Sequence, residues 1–91
     1  MALTKETVVD KIEVLEMGQV QVRTATRVKE DGAVLSSSFH RHVVEPSTKA
    51  SGSWADTDIS GEDARVQAVA NATWTSDVKT AYQEMVDAQA L

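Results

Sequence analysis

The chain has 91 residues, one proline and no cysteine, so it is limited to a single small domain without disulfides or cysteine-based zinc sites. Its net charge of −5 is the opposite of what binding to a nucleic-acid duplex needs, and general nucleic-acid binding is not expected. An uninterrupted apolar run of about 18 residues, which a membrane span needs, is missing, and the first residues lack the pattern of a signal peptide.

Residues 8–45 predict a three-stranded antiparallel meander. The middle strand alternates at a period of two, with Val20, Val22, Thr24, Thr26 and Val28 on one face and Gln21, Arg23, Ala25, Arg27 and Lys29 on the other. The run Glu30-Asp31-Gly32 supplies the left-handed position of a tight hairpin. Pro46 ends the third strand, because proline has no N–H to donate to a β-ladder.

The segment before Gly18 is compatible with two structures. Its turn at Gly18 and the strong strand behind it favour a strand from about Val8. The alternative is a helix over residues 4–15, because the apolar residues of the segment also fit a helical stripe: Leu3, Val8, Ile12 and Leu15.

Residues 46–60 are rich in Ser, Thr, Asp and Gly and predict a long loop, in which Trp54 is a candidate anchor on the body or on a neighbour. Residues 61–91 predict two helices. Ser60 and Asp63 resemble a capping box, and Thr75 or Ser76 caps the second helix. The predicted apolar stripes are Val66, Val69, Ala70, Thr73 and Trp74, then Val78, Ala81, Tyr82, Met85 and Ala88.

These elements predict an α+β fold in which two C-terminal helices pack on one face of the meander. The core is expected to join the helices to one sheet face. Its predicted members are Val66, Val69, Trp74, Tyr82 and Met85 on the helices, and Val20, Val22, Val28 and Phe39 on the sheet.

The run Phe39-His40-Arg41-His42 is the first candidate site. In a strand, His40 and His42 project to the same side, where two imidazoles offer two metal ligands. No spacing in the sequence marks a third ligand. We therefore interpret the histidines as solvent-facing or interface residues and predict no metal site.

A basic sheet face is the second candidate. If Leu35, Phe39 and Val43 point to the core, His40 and His42 point away and join the cations of the middle strand, which are Arg23, Arg27 and Lys29. Arg41 has the parity of Phe39. Such a face suits a carboxylate or a phosphate, because arginine presents a planar fork of donors. The alternative is cross-strand pairing with Glu13 and Glu16.

Catalysis is not expected. The run Ser36-Ser37-Ser38 is not embedded in a nucleophile elbow, and no phosphate-binding loop, dinucleotide fingerprint or zinc-protease motif is present, so neither an enzyme nor a cofactor is predicted. The chain has only one Phe, one Tyr and two Trp. With so few large apolar side chains a monomer is marginally stable, which points to a homo-oligomer or a partner-bound subunit.

Several runs resemble a group of short, mostly uncharacterised proteins of tailed bacteriophages. The resemblance covers most of the chain except residues 47–59 and implies a gene near those for virion and tail-fibre proteins. The runs that carry it are residues 1–16, 19–26, 30–32, 39–43 and 61–68, with Trp74-Thr75.

The resemblance implies a non-enzymatic, multi-copy virion component of the tail or tail fibre, whose partners are further copies or other phage structural proteins. The alternative is a phage anti-defence protein in the host cytoplasm during infection. It would act as a homo-oligomeric sponge for a phosphate-bearing nucleotide signal, or mask a host protein. The candidate ligand or interface residues for either role are Arg23, Arg27, His40, Arg41, His42 and Trp54.

Overall fold

A computed structural model describes residues 2–89. The chain forms a three-stranded antiparallel sheet in the order β1-β2-β3, then a separate two-stranded hairpin and two helices. The elements are β1 (Leu3–Val14), β2 (Val20–Glu30), β3 (Ala33–Val44), β4 (Ser47–Ala50), β5 (Ser53–Asp56), α1 (Ala64–Thr73) and α2 (Ser76–Gln89).

The α+β class and the meander are confirmed. The first segment is a strand, and it begins at Leu3 rather than near Val8. The β2–β3 turn is formed by Asp31 and Gly32, whose φ angles of 51° and 86° are both left-handed. Two successive left-handed residues give a turn whose twist matches that of the strands it joins.

A bulge in each outer strand decides which side chains share a face of the sheet. The extra residue is Asp10 in β1 and Leu35 in β3. Past the bulges, Val22 lies opposite both Ile12 and His42. The covered face, on which α1 lies, carries Val9, Ile12, Val20, Val22, Val44, His40 and His42, and the open face carries Glu6, Asp10, Arg23, Ala25, Arg27, Lys29, Phe39, Arg41 and Val43.

The expected orientation of β3 is therefore wrong. Phe39 and Val43 lie on the open face with 53% and 51% of their surface exposed, and Leu35 is exposed as well. His42 lies on the covered face instead of beside the arginines. The reason is the bulge at Leu35, because a shift of one residue in register turns every following side chain to the other face.

The long loop expected over residues 46–60 is also wrong in part. It contains the β4–β5 hairpin, which turns at Ser51 and Gly52 with φ angles of 53° and 80°. A two-residue turn of left-handed residues between short polar strands repeats the geometry of the first hairpin. Residues 57–63 then lead to α1 without a strand or helix.

The residues that cap the starts of the two helices differ from expectation in α1 and decide between two candidates in α2. Asp63 is the N-cap of α1, and its Oδ1 accepts a hydrogen bond from the Arg65 backbone N at 2.9 Å, so the expected box starting at Ser60 is wrong. Thr75 caps α2, because its Oγ1 accepts from the Val78 N at 3.3 Å.

The hydrophobic core lies at one end of the sheet. It joins the covered face to α1 and to the α1–α2 junction. Val28 and Phe39 lie outside it, contrary to expectation, and Tyr82 on α2 is buried near the hairpin through an edge contact with Trp54. The buried core cluster consists of Val20, Val22, Val44, Val66, Ala70 and Trp74.

The rest of the sheet extends away from this core. The radius of gyration is 17.0 Å, against about 12 Å for a compact domain of this length. The molecule measures 57 × 26 × 23 Å. We call the projecting part the sheet arm and define it as residues 3–8, 26–30 and 33–38. None of these residues belongs to the core cluster, and those of β3 are all exposed.

Candidate functional site

The open face carries a row of ion pairs between β1 and β2. Arg23 donates to Asp10 through Nε at 2.9 Å and through Nη2 at 2.8 Å, which is a two-point contact. These hydrogen bonds lower the pKa of Asp10 and raise that of Arg23. The contact exists because the bulge turns Asp10 to this face, and it leaves Arg23 largely neutralised.

A second group of charges lies farther along the sheet arm. Lys29 Nζ and Arg27 Nη1 both donate to the Glu6 carboxylate at 2.9 Å. Those hydrogen bonds, that of Lys29 first, lower the pKa of Glu6. The expected cross-strand pairing is therefore present, but with Asp10 and Glu6 and not with Glu13 and Glu16.

Arg41 differs from the other cations of the open face. Among residues 2–89 it makes no ion pair. It borders a shallow concavity of about 140 Å³. The side chains around it on the open face are Lys11, Glu13, Gln21, Arg23 and Val43.

The two histidines lie on the covered face. His42 Nε2 is 2.7 Å from Oε1 of Glu62, just ahead of α1. The rings of His40 and His42 are stacked with their centroids 6.3 Å apart. Within residues 2–89, no group of three or more His, Asp or Glu side chains is arranged to hold a metal ion.

Apolar side chains are exposed along β3. Arg23 lies 4.5 Å from the centre of the Phe39 ring, which is a cation–π contact. Ala25, directly opposite Phe39, is fully buried while Phe39 is half exposed. The exposed apolar residues of this strand are Val34, Leu35, Phe39 and Val43.

Trp54 holds the hairpin to α2. Its ring contacts Tyr82 edge-on at 6.1 Å between centroids, and Lys49 lies 5.5 Å above it. The Asp87 carboxylate accepts a hydrogen bond from Lys49 Nζ at 2.8 Å, and this hydrogen bond lowers the pKa of Asp87. Lys79 on α2 donates to Asp56 on β5 at 2.9 Å. Trp54 is half-buried within its own chain and does not project as a free anchor.

The candidate residues thus fall into three places. Arg23, Arg27 and Arg41 share the open face, His40 and His42 share the covered face, and Trp54 lies on the hairpin. The sequence did not single out the residues that organise the open face, since no motif marks the bulges that place Asp10 and Leu35.

No family model, curated protein or solved structure matches the chain. Within the described residues, no helix is long and apolar enough to cross a membrane.

Proposed function

We propose that the chain is a non-enzymatic assembly protein that acts in many copies and docks through its sheet. The observation that carries this proposal is the exposed strand β3 on an elongated molecule. Its outer edge has no partner strand among the described residues, and its four large apolar side chains are exposed, two of them, Val34 and Leu35, in the sheet arm. Large apolar groups concentrated on one exposed strand are typical of interaction surfaces.

The small core supports the same proposal. Among residues 2–89, the buried apolar side chains include only two large aromatic ones, Trp74 and Tyr82. The chain exposes 6043 Å², against about 5,200 Å² for a compact monomer of this mass. Burial of the exposed part of the sheet against neighbours would supply the area that the single chain lacks.

The resemblance to tailed-phage proteins suggests where such an assembly forms. A small structural component of the virion, in the tail or beside the tail fibres, fits an elongated chain with an open strand edge. Further copies and other phage structural proteins are the partners we propose.

Two measurements test the proposal. Mass spectrometry of purified particles of the encoding phage is expected to recover the chain in fixed stoichiometry with the tail proteins, and its absence would contradict a virion role. Analytical ultracentrifugation of the isolated chain is expected to show association. A heat-resistant monomer at high dilution would remove the physical reason for proposing assembly.

The alternative, a sponge for a phosphate-bearing nucleotide, has support in one feature. Arg41 is unpaired among the described residues and, with Lys11, borders the concavity of the open face. Against it, Arg23 and Arg27 are already bound to carboxylates, and the ring of His42, which also borders the concavity, contacts Glu62 on the covered face. Calorimetry with cyclic dinucleotides and ADP-ribose derivatives tests this alternative, and no heat with any of them would exclude it.

A further inference from the structure

The two edges of the three-stranded sheet differ in how they discourage pairing with another strand. Along β1, five of twelve residues are charged, and the bulge at Asp10 interrupts the ladder. Charges and bulges are the devices by which proteins protect exposed edges. The charged residues of β1 are Lys5, Glu6, Asp10, Lys11 and Glu13.

The β3 edge lacks this protection over most of its length. From Ala33 to Phe39 it contains no ionisable residue, and its bulge at Leu35 lies near the tip. Residues 33–41 are all exposed. A long, weakly charged edge with unpaired backbone groups is a template for a further strand.

The side chains of β3 also lack a neighbour on one flank. Phe39 has Ala25 of β2 on one side and solvent on the other, which is why Phe39 is half exposed while Ala25 is buried. Val43 and Val34 lie on the same face, opposite Gln21 and Lys29, and each has 51% of its surface exposed. A strand added beside β3 would cover all three.

We propose that this added strand is β3 of a second copy, paired antiparallel about a twofold axis to give a continuous six-stranded sheet. This inference rests on the proposed assembly function and names the first partner and the contact. Twofold dimers are the commonest homo-oligomers, and an antiparallel pair of identical edge strands satisfies twofold symmetry.

The faces of the sheet restrict the register of this pairing. Residues that lie directly opposite each other in two paired strands must share a face of the sheet. A residue of β3 can therefore lie opposite its own copy in the second chain, or opposite the copy of a residue two or four positions away. Placing Phe39 on the axis pairs residues 36–42 of the two copies with matching faces, up to the bulge at Leu35, and brings the two rings together. It also places Ser37 opposite the partner's Arg41. An axis at Arg41 would instead oppose two like charges, which destabilises a strand pair.

Cysteine cross-linking tests the register directly, because the chain contains no cysteine. A Ser37→Cys chain mixed with an Arg41→Cys chain should form a disulfide-linked heterodimer, since directly opposite residues have Cα atoms about 4.5–5.5 Å apart, which a disulfide can span. Each variant alone should not, because in this register the introduced thiol and its copy in the second chain are offset by four residues, about 14 Å along the strand. Ser37 and Arg41 are both exposed, so neither substitution threatens the fold.

A charge placed on the axis gives the second readout. Phe39→Lys puts two ammonium groups opposite each other and is expected to weaken dimerisation at least tenfold in sedimentation equilibrium. Thr7→Lys, a change at an exposed residue of the β1 edge that lies opposite the uncharged Thr26, is the matched control and should leave the dissociation constant unchanged. Circular dichroism checks that both variants remain folded.

The outcomes separate this inference from the proposed function. A heterodimer that forms only in the mixture, together with loss of association in Phe39→Lys, supports the paired β3 edges. Association without the cross-link and without sensitivity to Phe39→Lys means that copies meet through another surface, which overturns the inference and leaves the assembly function standing. A monomeric chain that is nevertheless recovered from virions also overturns the inference alone.

Discussion

The indole of Trp74 donates a buried hydrogen bond of 2.7 Å to the backbone carbonyl of Gly18, 56 residues earlier in the chain. Gly18 lies in the β1–β2 turn with a φ of +87°, and Trp74 ends α1. Val78 of α2 and Pro46 before β4 close over the same turn. The turn at Gly18 therefore ties the sheet to both helices and to the start of the hairpin.

Gly18→Ala is expected to destabilise the fold for two reasons. A Cβ at this position would lie 2.5 Å from Val78 Cγ1 and 3.1 Å from Pro46 Cγ, and the left-handed backbone is strained for alanine. We expect a loss of about 2–4 kcal/mol in the free energy of unfolding by urea. Gly52→Ala shares the positive φ but meets nothing within 4 Å, so it should cost only about 1 kcal/mol. Equal losses in the two variants would show that the close packing at Gly18 contributes nothing.

Trp74→Phe keeps an aromatic ring but leaves the Gly18 carbonyl without its donor. A buried acceptor that loses its partner costs about 1–3 kcal/mol, and we expect a loss in this range by chemical unfolding. Trp54→Phe is the matched control, because its Nε1 lies 3.4 Å from Asp87 in an exposed and weaker contact. A loss in Trp54→Phe as large as that in Trp74→Phe would contradict the role given to the buried hydrogen bond.

The sequence predicted the strands well where local chemistry decides them. The period-two pattern of β2 and the left-handed positions at Asp31 and Gly32 are local properties, and both are as expected. The second hairpin was missed because its strands are only four residues long and polar. The pair Ser51-Gly52 was the one local signal that would have revealed it.

The sequence could not predict which side chains of β3 point towards the core, because one extra residue, the bulge at Leu35, reverses the pattern. A hairpin closed by Glu30 and Ala33 with uninterrupted pairing would place Thr24 opposite Phe39, which puts Phe39 on the covered face as expected. The bulge at Leu35 moves Phe39 opposite Ala25 instead. Nothing in the local sequence favours this bulge; docking of α1 onto Val22 and its neighbours selects the covered face. The candidate site failed to converge for the same reason, because its histidines and arginines were separated by this shift.

Acid should destabilise the chain through Asp10 and Glu6. Their hydrogen bonds to Arg23 and Lys29 lower both pKa values below the ordinary 3.8 and 4.5. A carboxylate whose pKa is lowered on folding contributes stability above the ordinary value, and this contribution is lost as the pH falls through the lowered one.

Thermal unfolding midpoints should therefore stay level down to about pH 5 and fall below it. The double variant Asp10→Asn with Glu6→Gln should show a shallower fall from a lower starting point. Glu13→Gln is the matched control on the same strand, because Glu13 is exposed and meets only Lys11 at 3.7 Å. If the double variant shows the same slope as the unaltered chain, these ion pairs do not set the acid sensitivity.

The paired change of His40→Ala with His42→Ala is expected to leave the fold nearly intact. His40 is exposed, and the contact of His42 with Glu62 is more than one-third exposed on the histidine side. Partly exposed pairs contribute below about 1 kcal/mol. Val66→Ala, which removes a fully buried side chain facing the same sheet surface, should cost about 2 kcal/mol or more. A larger loss from the histidine pair than from Val66→Ala would show that the histidines support the core.

Tyr82 should lose its phenolic proton at a higher pH than a free tyrosine, and its titration should report the packing of α2 against the hairpin. Burial first, and then its hydrogen bond to the Glu45 carboxylate, raise the pKa of Tyr82 from 10.0 to about 12. A raised phenol pKa stabilises the fold below pH 10 and withdraws that stabilisation as the pH rises towards 12. Because this is the only tyrosine in the chain, the absorbance of the phenolate reports it without interference. Glu45→Gln removes the carboxylate and keeps the burial, so it should move the titration partway back towards 10. A titration at the ordinary value in the folded, unaltered chain would mean that α2 does not pack Tyr82 against Trp54 and the hairpin.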